Sequence, residues 1–275
     1  MINTFFKLTL NLAIMIFFLV FLSNCSGNGK KLVEEKEVPV ERMYEEAMSF
    51  LTNGKYGSAV LVFEKLERQH PYSIWSTRAQ LMSIFSHYKA GKYDDAVLAG
   101  ERYIQLHPAS KEVPYAYYLI ALSYYQRISD VKRDQNATLL ALDSLKQVIS
   151  RFPSTDYAVD ARLKMDLVFT NLAGSEMEVG RYYQNKGQFL AAINRFSGVV
   201  KNYQTTSYVP EALYRLVESY LSLGLKDEAE KSAAVLGYNY PDSKWYKESF
   251  NLIKGQDTGQ EGSTSFFSRV YNKIF

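Results

Sequence analysis

A short pattern, Gly-x-x-x-x-Ala, returns four times along the chain: Gly54-Lys-Tyr-Gly-Ser-Ala59, Gly91-Lys-Tyr-Asp-Asp-Ala96, Gly187-Gln-Phe-Leu-Ala-Ala192 and Gly224-Leu-Lys-Asp-Glu-Ala229. Twelve residues beyond each alanine stand Pro71, Pro108, Gln204 and Pro241, and the same step counted back from Pro153 lands on Ala141. That is a fifth copy which has lost its glycine. The five alanines are 37, 45, 51 and 37 residues apart. A unit of this period cannot bury its apolar face alone, so copies must stack on one another.

Each piece of the unit has a physical reading. Glycine ends a first helix because it takes the left-handed C′ conformation without a Cβ penalty. Alanine permits close approach where a second helix crosses the first, and proline stops that second helix. Within second helices the apolar residues keep helical spacing, as in Ala59, Phe63 and Leu66 or Ala192, Phe196 and Val199. Strand signals are nearly absent. The expectation is five hairpins, Tyr44–Pro71, Ile74–Pro108, Val113–Pro153, Asp156–Tyr203 and Tyr208–Pro241, then a helix from Asp242 to about Lys254.

Two intervals exceed the basic one. The extra eight residues around Ser129-Asp-Val-Lys-Arg-Asp-Gln-Asn136 are polar and read as a surface loop. The extra fourteen before Gly187 contain no proline. They amount to about four helical turns, or about 21 Å of rod, and predict one long helix from Asp156 to Lys186 with Gly174 as a weak point.

These features resemble tetratricopeptide repeats, in which a small residue, a turn, an alanine and a proline recur. The resemblance implies an all-α fold, a right-handed α-solenoid of five tetratricopeptide-like helical hairpins with a C-terminal helix. The concave face of such a solenoid presents side chains to a partner.

The chain begins with an export pattern. Lys7 precedes the run Leu8 to Leu22, apolar but for Thr9 and Asn11, and polar Ser23-Asn24-Cys25-Ser26 follows. The run is shorter than the ~20 apolar residues of a membrane span, which favours a signal peptide over a permanent anchor. Cys25, the only cysteine, stands where that run stops, after Leu22-Ser23-Asn24, and this resembles a bacterial lipobox. The resemblance implies diacylglycerol on the Cys25 thiol and cleavage before it. A buried structural thiol is the weaker reading, because Ser-Gly-Asn-Gly-Lys-Lys follows and offers no core to join. The expected organisation is a lipoprotein signal peptide over 1–24, a lipidated linker over 25–40, the solenoid over 41–254, and a polar linker with a short amphipathic tail over 255–275. In that tail Phe266, Phe267, Val270, Tyr271, Ile274 and Phe275 form one helical stripe.

Composition excludes several functions. With 32 Lys and Arg against 29 Asp and Glu, the net charge of +3 is too small to advertise a nucleic-acid surface. One Cys and 3 His leave no disulfide within the chain and few metal ligands, so no metal or other cofactor is expected. No phosphate loop, His-Glu-x-x-His or Gly-x-Ser-x-Gly sequence occurs, and no enzyme is expected. His70 and His107 each precede a repeat proline and read as helix-end residues, while His87, between Phe85 and Tyr88 nearby, reads as a groove or core histidine. The 22 tyrosines cluster in first helices, as in Tyr115-Ala-Tyr-Tyr118, Tyr124-Tyr125 and Tyr182-Tyr183. Some must pack between repeats. The others would offer flat amphipathic surface to an extended peptide. In the bend His70-Pro-Tyr-Ser-Ile-Trp75, Tyr72 and Trp75 are expected between hairpins one and two, either packing there or docking such a peptide.

Three strings are more specific: Tyr103-Ile-Gln-Leu-His-Pro108 before the tyrosine-rich helix; Arg151-Phe-Pro-Ser-Thr-Asp-Tyr-Ala-Val-Asp-Ala161; and Glu178-Val-Gly-Arg-Tyr-Tyr-Gln-Asn-Lys-Gly-Gln-Phe-Leu-Ala-Ala-Ile-Asn-Arg195. With the lipobox, they make the chain similar to the BamD family, the tetratricopeptide lipoproteins of the bacterial β-barrel assembly machinery. That resemblance implies a scaffold anchored by lipid to the outer membrane and facing the periplasm. Its implied partners are the POTRA domains of BamA, other lipoproteins of the complex, and unfolded outer-membrane β-barrel proteins. It also implies that the amino-terminal repeats meet the substrate's carboxy-terminal strand. Arg195 matches the family arginine that reaches a POTRA acidic group, although an ordinary solvated arginine is the plainer reading of that position. The alternative function is an adaptor lipoprotein for cell-wall or envelope enzymes.

Overall fold

The structure, a computed structural model, describes residues 38–256. Eleven helices and no strand occur among them. They are α1 Val40–Thr52, α2 Tyr56–Gln69, α3 Ile74–Lys89, α4 Tyr93–Leu106, α5 Val113–Tyr125, α6 Asn136–Arg151, α7 Asp156–Asn185, α8 Phe189–Asn202, α9 Val209–Ser222, α10 Lys226–Asn239 and α11 Lys244–Gln256. Successive helices pair as five hairpins, first helices also touch first helices, and α11 lies against α9 and α10. This is the all-α solenoid of hairpins with a C-terminal helix that the repeat implies. The first helix starts at Val40, one turn before the expected Tyr44.

The repeat pattern does in space what its chemistry requires. Gly54, Gly91, Gly187 and Gly224 all have φ between +72° and +74°, the left-handed turn that closes a first helix. The five alanines are fully buried. On each second helix the positions four and seven beyond the alanine are buried as well: Phe63 and Leu66, Gly100 and Tyr103, Leu145 and Val148, Phe196 and Val199, Ala233 and Leu236. Each stripe opens on the small alanine and closes on a larger apolar or aromatic residue. Where Gly100 stands, a Cβ would come within 2.7 Å of Ile120, and the bulky Tyr103 follows one turn later. Interlocking of this kind fills a thin core.

A further fixed position accompanies the proline. The residue before it, whether His70, His107, Phe152, Tyr203 or Tyr240, leaves the helix at φ between −130° and −138°, as steric pressure from a following proline favours. Three residues later Ser73, Ser110, Thr155, Thr206 or Ser243 donates its backbone N–H to that residue's carbonyl at 3.0–3.1 Å. Several of these hydroxyls then cap the next helix: Ser73 accepts from Trp75 N–H and Thr155 from Ala158 N–H. One turn geometry is thus used five times, with Gln204 standing in for proline once.

The two insertions meet. α7 is a single helix of 30 residues, and the loop between α5 and α6 folds against its middle. Asn171 Nδ2 donates to the Ser129 carbonyl at 3.0 Å, and half-buried Val131 lies over Gly174. Gly174 is therefore no weak point. A Cβ there would stand 2.8 Å from Val131 and 3.0 Å from the Tyr208 hydroxyl, so the glycine lets loop and helix close. Residues 129–136 form a surface loop as expected, with Ser129 and Val131 partly covered where it meets α7.

Candidate partner-binding surfaces

The inner face of α8 is Ala192, Phe196 and Val199, all fully buried against neighbouring helices. α7 approaches closely because residue 180 is glycine: a Cβ there would run into the Phe196 ring. Arg195, beside Phe196 but turned outward, is thereby brought to Glu176 of α7. Its Nη1 donates to both carboxylate oxygens, at 3.1 and 3.3 Å. The arginine side chain stays 44% exposed, and its Nε and Nη2 bond no other group among the described residues.

One helical turn along, Arg181 is held more completely. Its Nε and Nη2 donate to the two oxygens of Glu211 on α9, at 2.9 and 2.8 Å, and its Nη1 donates to Glu178 at 2.6 Å. Burial pushes the Glu211 carboxyl up, but hydrogen bonds from Arg181 and the charges of Arg181 and Arg215 outweigh it and hold the group below its ordinary range. Arg215 continues the network to Glu218 at 2.8 Å, and Glu218 accepts from the Tyr214 hydroxyl at 2.8 Å. The Tyr214 ring packs on Trp245 of α11, 5.1 Å between centroids. Burial, helped by the hydrogen bond to Glu218, pushes the Tyr214 phenol up to about 12. Charged and aromatic groups thus fasten α7, α9 and α11 together.

A second aromatic group lies on the first helices of the middle hairpins. Tyr115 and Tyr118 of α5 both meet Tyr157 of α7, at 5.4 and 5.2 Å between centroids. The Tyr118 hydroxyl donates to Asp160 at 2.5 Å, and Lys164 pairs with Asp160 at 2.9 Å while lying over the Tyr125 ring. Burial chiefly, with the negative potential of Tyr157 and Tyr88 nearby, pushes the Tyr115 phenol up to about 12. Burial raises Asp160 as well, yet the hydrogen bonds from Tyr118 and Lys164 prevail and keep it below its usual value.

The amino-terminal pair does not act as a unit. Trp75 stacks on Tyr44 of α1 at 4.9 Å and carries the Arg78 guanidinium at 5.2 Å, so it belongs to the junction of hairpins one and two. Tyr72 is not between the hairpins as expected. Its position in the turn before the Ser73 cap leaves the side chain fully exposed, beside exposed Ile74. Among the tyrosines of the described residues only Tyr103 and Tyr214 are buried, so most of these rings are half-covered.

The histidines serve structure. His107 bonds Gln80 of α3 at 2.7 Å and packs on Tyr103, which ties α4 to α3 as well as ending α4. His87 is largely buried, with Nδ1 3.9 Å from Asp95, and desolvation lowers its pKa. No group of three His, Cys, Asp or Glu that could hold a metal occurs among the described residues, and no helix among them is long and apolar enough to cross a membrane. Cys25 and the tail stripe from Phe266 to Phe275 lie outside the described residues. Glu176, Glu211 and Asp160 were not singled out in the sequence, since each finds its partner on another helix or through the crossing of two.

The family described as "YfiO: Outer membrane lipoprotein" matches residues 36–236. An outer membrane protein assembly factor BamD of Caulobacter vibrioides is 48% identical over 84% of this chain and 76% of its own length. The BamD of Rickettsia prowazekii is 47% identical over 90% of this chain and 98% of its own. Among solved structures, the yeast Sti1 TPR2AB-domain:pHSP90 complex covers 85% of this chain and 97% of its own at 12% identity, with a TM-score of 0.41, too loose a likeness to bear on function.

Proposed function

We propose, on the premise that this chain belongs to the BamD family of outer membrane protein assembly factors, that it is the lipid-anchored periplasmic scaffold of a β-barrel assembly complex. It acts in outer membrane protein assembly, and its fold is that of a scaffold built from binding surfaces. In the finer reading, diacylglycerol on Cys25 holds the chain on the outer membrane. Two or three acyl chains do so durably, since each buried methylene contributes about 0.8 kcal/mol. The carboxy-terminal hairpins hold the POTRA domains of BamA through Arg195, and the amino-terminal hairpins receive unfolded barrel proteins, with exposed Tyr72 offered to an aromatic chain end.

The observation that carries this reading is the match along nearly the whole length of an assembly factor, with Arg195 inside the span that the family model matches. What the geometry adds is that Arg195 is exposed, held by one carboxylate, and able to bond a second. Catalysis has no part in it: the scaffold brings an unfolded strand and the barrel machine into contact. Purification of the full-length lipoprotein from detergent-solubilised membranes tests the reading. BamA recovered in stoichiometric yield is the expected result. Recovery of cell-wall enzymes or peptidoglycan fragments without BamA would replace it with the adaptor reading.

A further inference from the structure

We infer that Glu176 is a positioning residue, which holds the guanidinium of Arg195 with one edge open for a carboxylate brought by the docking partner. The inference rests on the assignment of Arg195 to the BamA-facing surface, where an acidic group is its expected partner, and goes beyond it by naming what prepares that arginine.

The comparison that carries it lies in the same part of the fold, on α7, α8 and α9. A guanidinium has five N–H donors in a rigid plane, and its Nε/Nη2 edge matches the two oxygens of a carboxylate. In Arg181 that edge is filled by Glu211, at 2.9 and 2.8 Å, and the remaining Nη1 is taken by Glu178. Arg195 has the second half of this arrangement without the first. Its Nη1 is taken by Glu176 at 3.1 and 3.3 Å, and its Nε/Nη2 edge bonds nothing among the described residues. Arg181 is therefore a picture, in this same fold, of what Arg195 becomes when a second carboxylate arrives.

Two carboxylates around one arginine repel each other, so the sign of the effect of Glu176 must be argued. At Arg181, where Glu178 and Glu211 share one guanidinium, the Glu211 carboxyl is held below its ordinary range because the hydrogen bonds and charges of Arg181 and Arg215 outweigh burial. At Arg195 the exposed side chain would otherwise sample many rotamers, and the freedom lost on docking would weaken the complex. Glu176 removes most of that freedom in advance. Its charge also offsets that of Arg195, which disfavours loose attraction of any anion and leaves geometry to select a planar carboxylate, an Asp or Glu side chain on a folded surface, over a polyanion. A Glu176 that merely competed for Arg195 would have the opposite effect.

The test uses the full-length, detergent-solubilised lipoprotein and its cognate BamA, with affinity measured for the parent and for Glu176→Ala, Glu176→Gln, Arg195→Ala and the Glu176→Ala, Arg195→Ala double variant. Both Glu176 variants should weaken binding about 3- to 10-fold with unchanged thermal unfolding, because ordering one side chain is worth that much. The loss should vanish in the Arg195→Ala background, an outcome that a general structural role for Glu176 would not give. Tighter or unchanged binding on loss of Glu176, with Arg195→Ala still weakening it, overturns the positioning role and leaves the BamA surface standing. So does an equal Glu176→Ala loss in both backgrounds. No effect of Arg195→Ala overturns both readings together.

Discussion

The ring of Phe196 occupies the space in which a side chain at Gly180 would begin. This contact sets how closely α7 and α8 cross, and so whether Glu176 can reach Arg195. Gly180→Ala should destabilise the fold by about 1–3 kcal/mol, the usual cost of forcing a methyl into a filled core. It should also loosen the Glu176–Arg195 pair. Urea unfolding followed by circular dichroism checks the first. If stability were unchanged, the helices would be free to part at no cost.

Arg181 and Glu211 give a pH signature. Glu211 is depressed in the folded state, so the stability it contributes is present above its ordinary pKa near 4.5 and is lost as pH falls through its lower folded value. Arg181→Met should therefore cost about 1–3 kcal/mol at pH 7, where it leaves a largely covered carboxylate with only the longer contact to Arg215 at 3.5 Å. The gap between parent and variant should narrow as pH falls below the ordinary carboxylate value and close as it passes through the lower folded value of Glu211. Unfolding curves of both proteins from pH 7 to pH 3 measure this, and a gap independent of pH would contradict it.

Tyr72 and Trp75 should separate cleanly. Tyr72→Ala removes a side chain with no burial and should leave the melting temperature unchanged. Trp75→Ala removes a ring packed on Tyr44 and under Arg78, and should cost about 2–4 kcal/mol. A photo-crosslinker at position 72 should trap the carboxy-terminal peptide of a barrel protein. Crosslinks confined to the last two hairpins would move the substrate site to the opposite end.

Cys25→Ser should leave the precursor unlipidated and uncleaved at this site. Mass spectrometry of the amino-terminal peptide reads the acyl mass directly. A mature terminus elsewhere, without acyl chains, would make the chain a secreted protein.

The hairpins could be read from sequence because glycine, alanine and proline each impose a local geometry that needs no knowledge of neighbours. Ser73, Ser110, Thr155, Thr206 and Ser243 keep an equally fixed place after the proline, and the same register would have found them. Gly174 and Gly180 are different. A glycine inside a helix reads as weakness until Val131 or Phe196 is seen against it. The acid partners of Arg195 and Arg181 stand 19 and 30 residues away. Helix crossing, which no local rule gives, decides those pairings. Tyr72 was misplaced because a Ser cap two residues before Trp75 turns the two aromatic rings apart.

The most direct measurement is reconstitution. Proteoliposomes containing BamA, with and without the full-length protein, are given an unfolded outer-membrane barrel protein, and its folding is followed by the heat-modifiable shift on electrophoresis. The account predicts that the protein raises folding yield and that Arg195→Glu abolishes most of the gain, since charge reversal on an exposed helix face repels a partner's carboxylate while sparing the fold. Equal folding with the parent, with the Arg195→Glu protein and with neither protein added would contradict it.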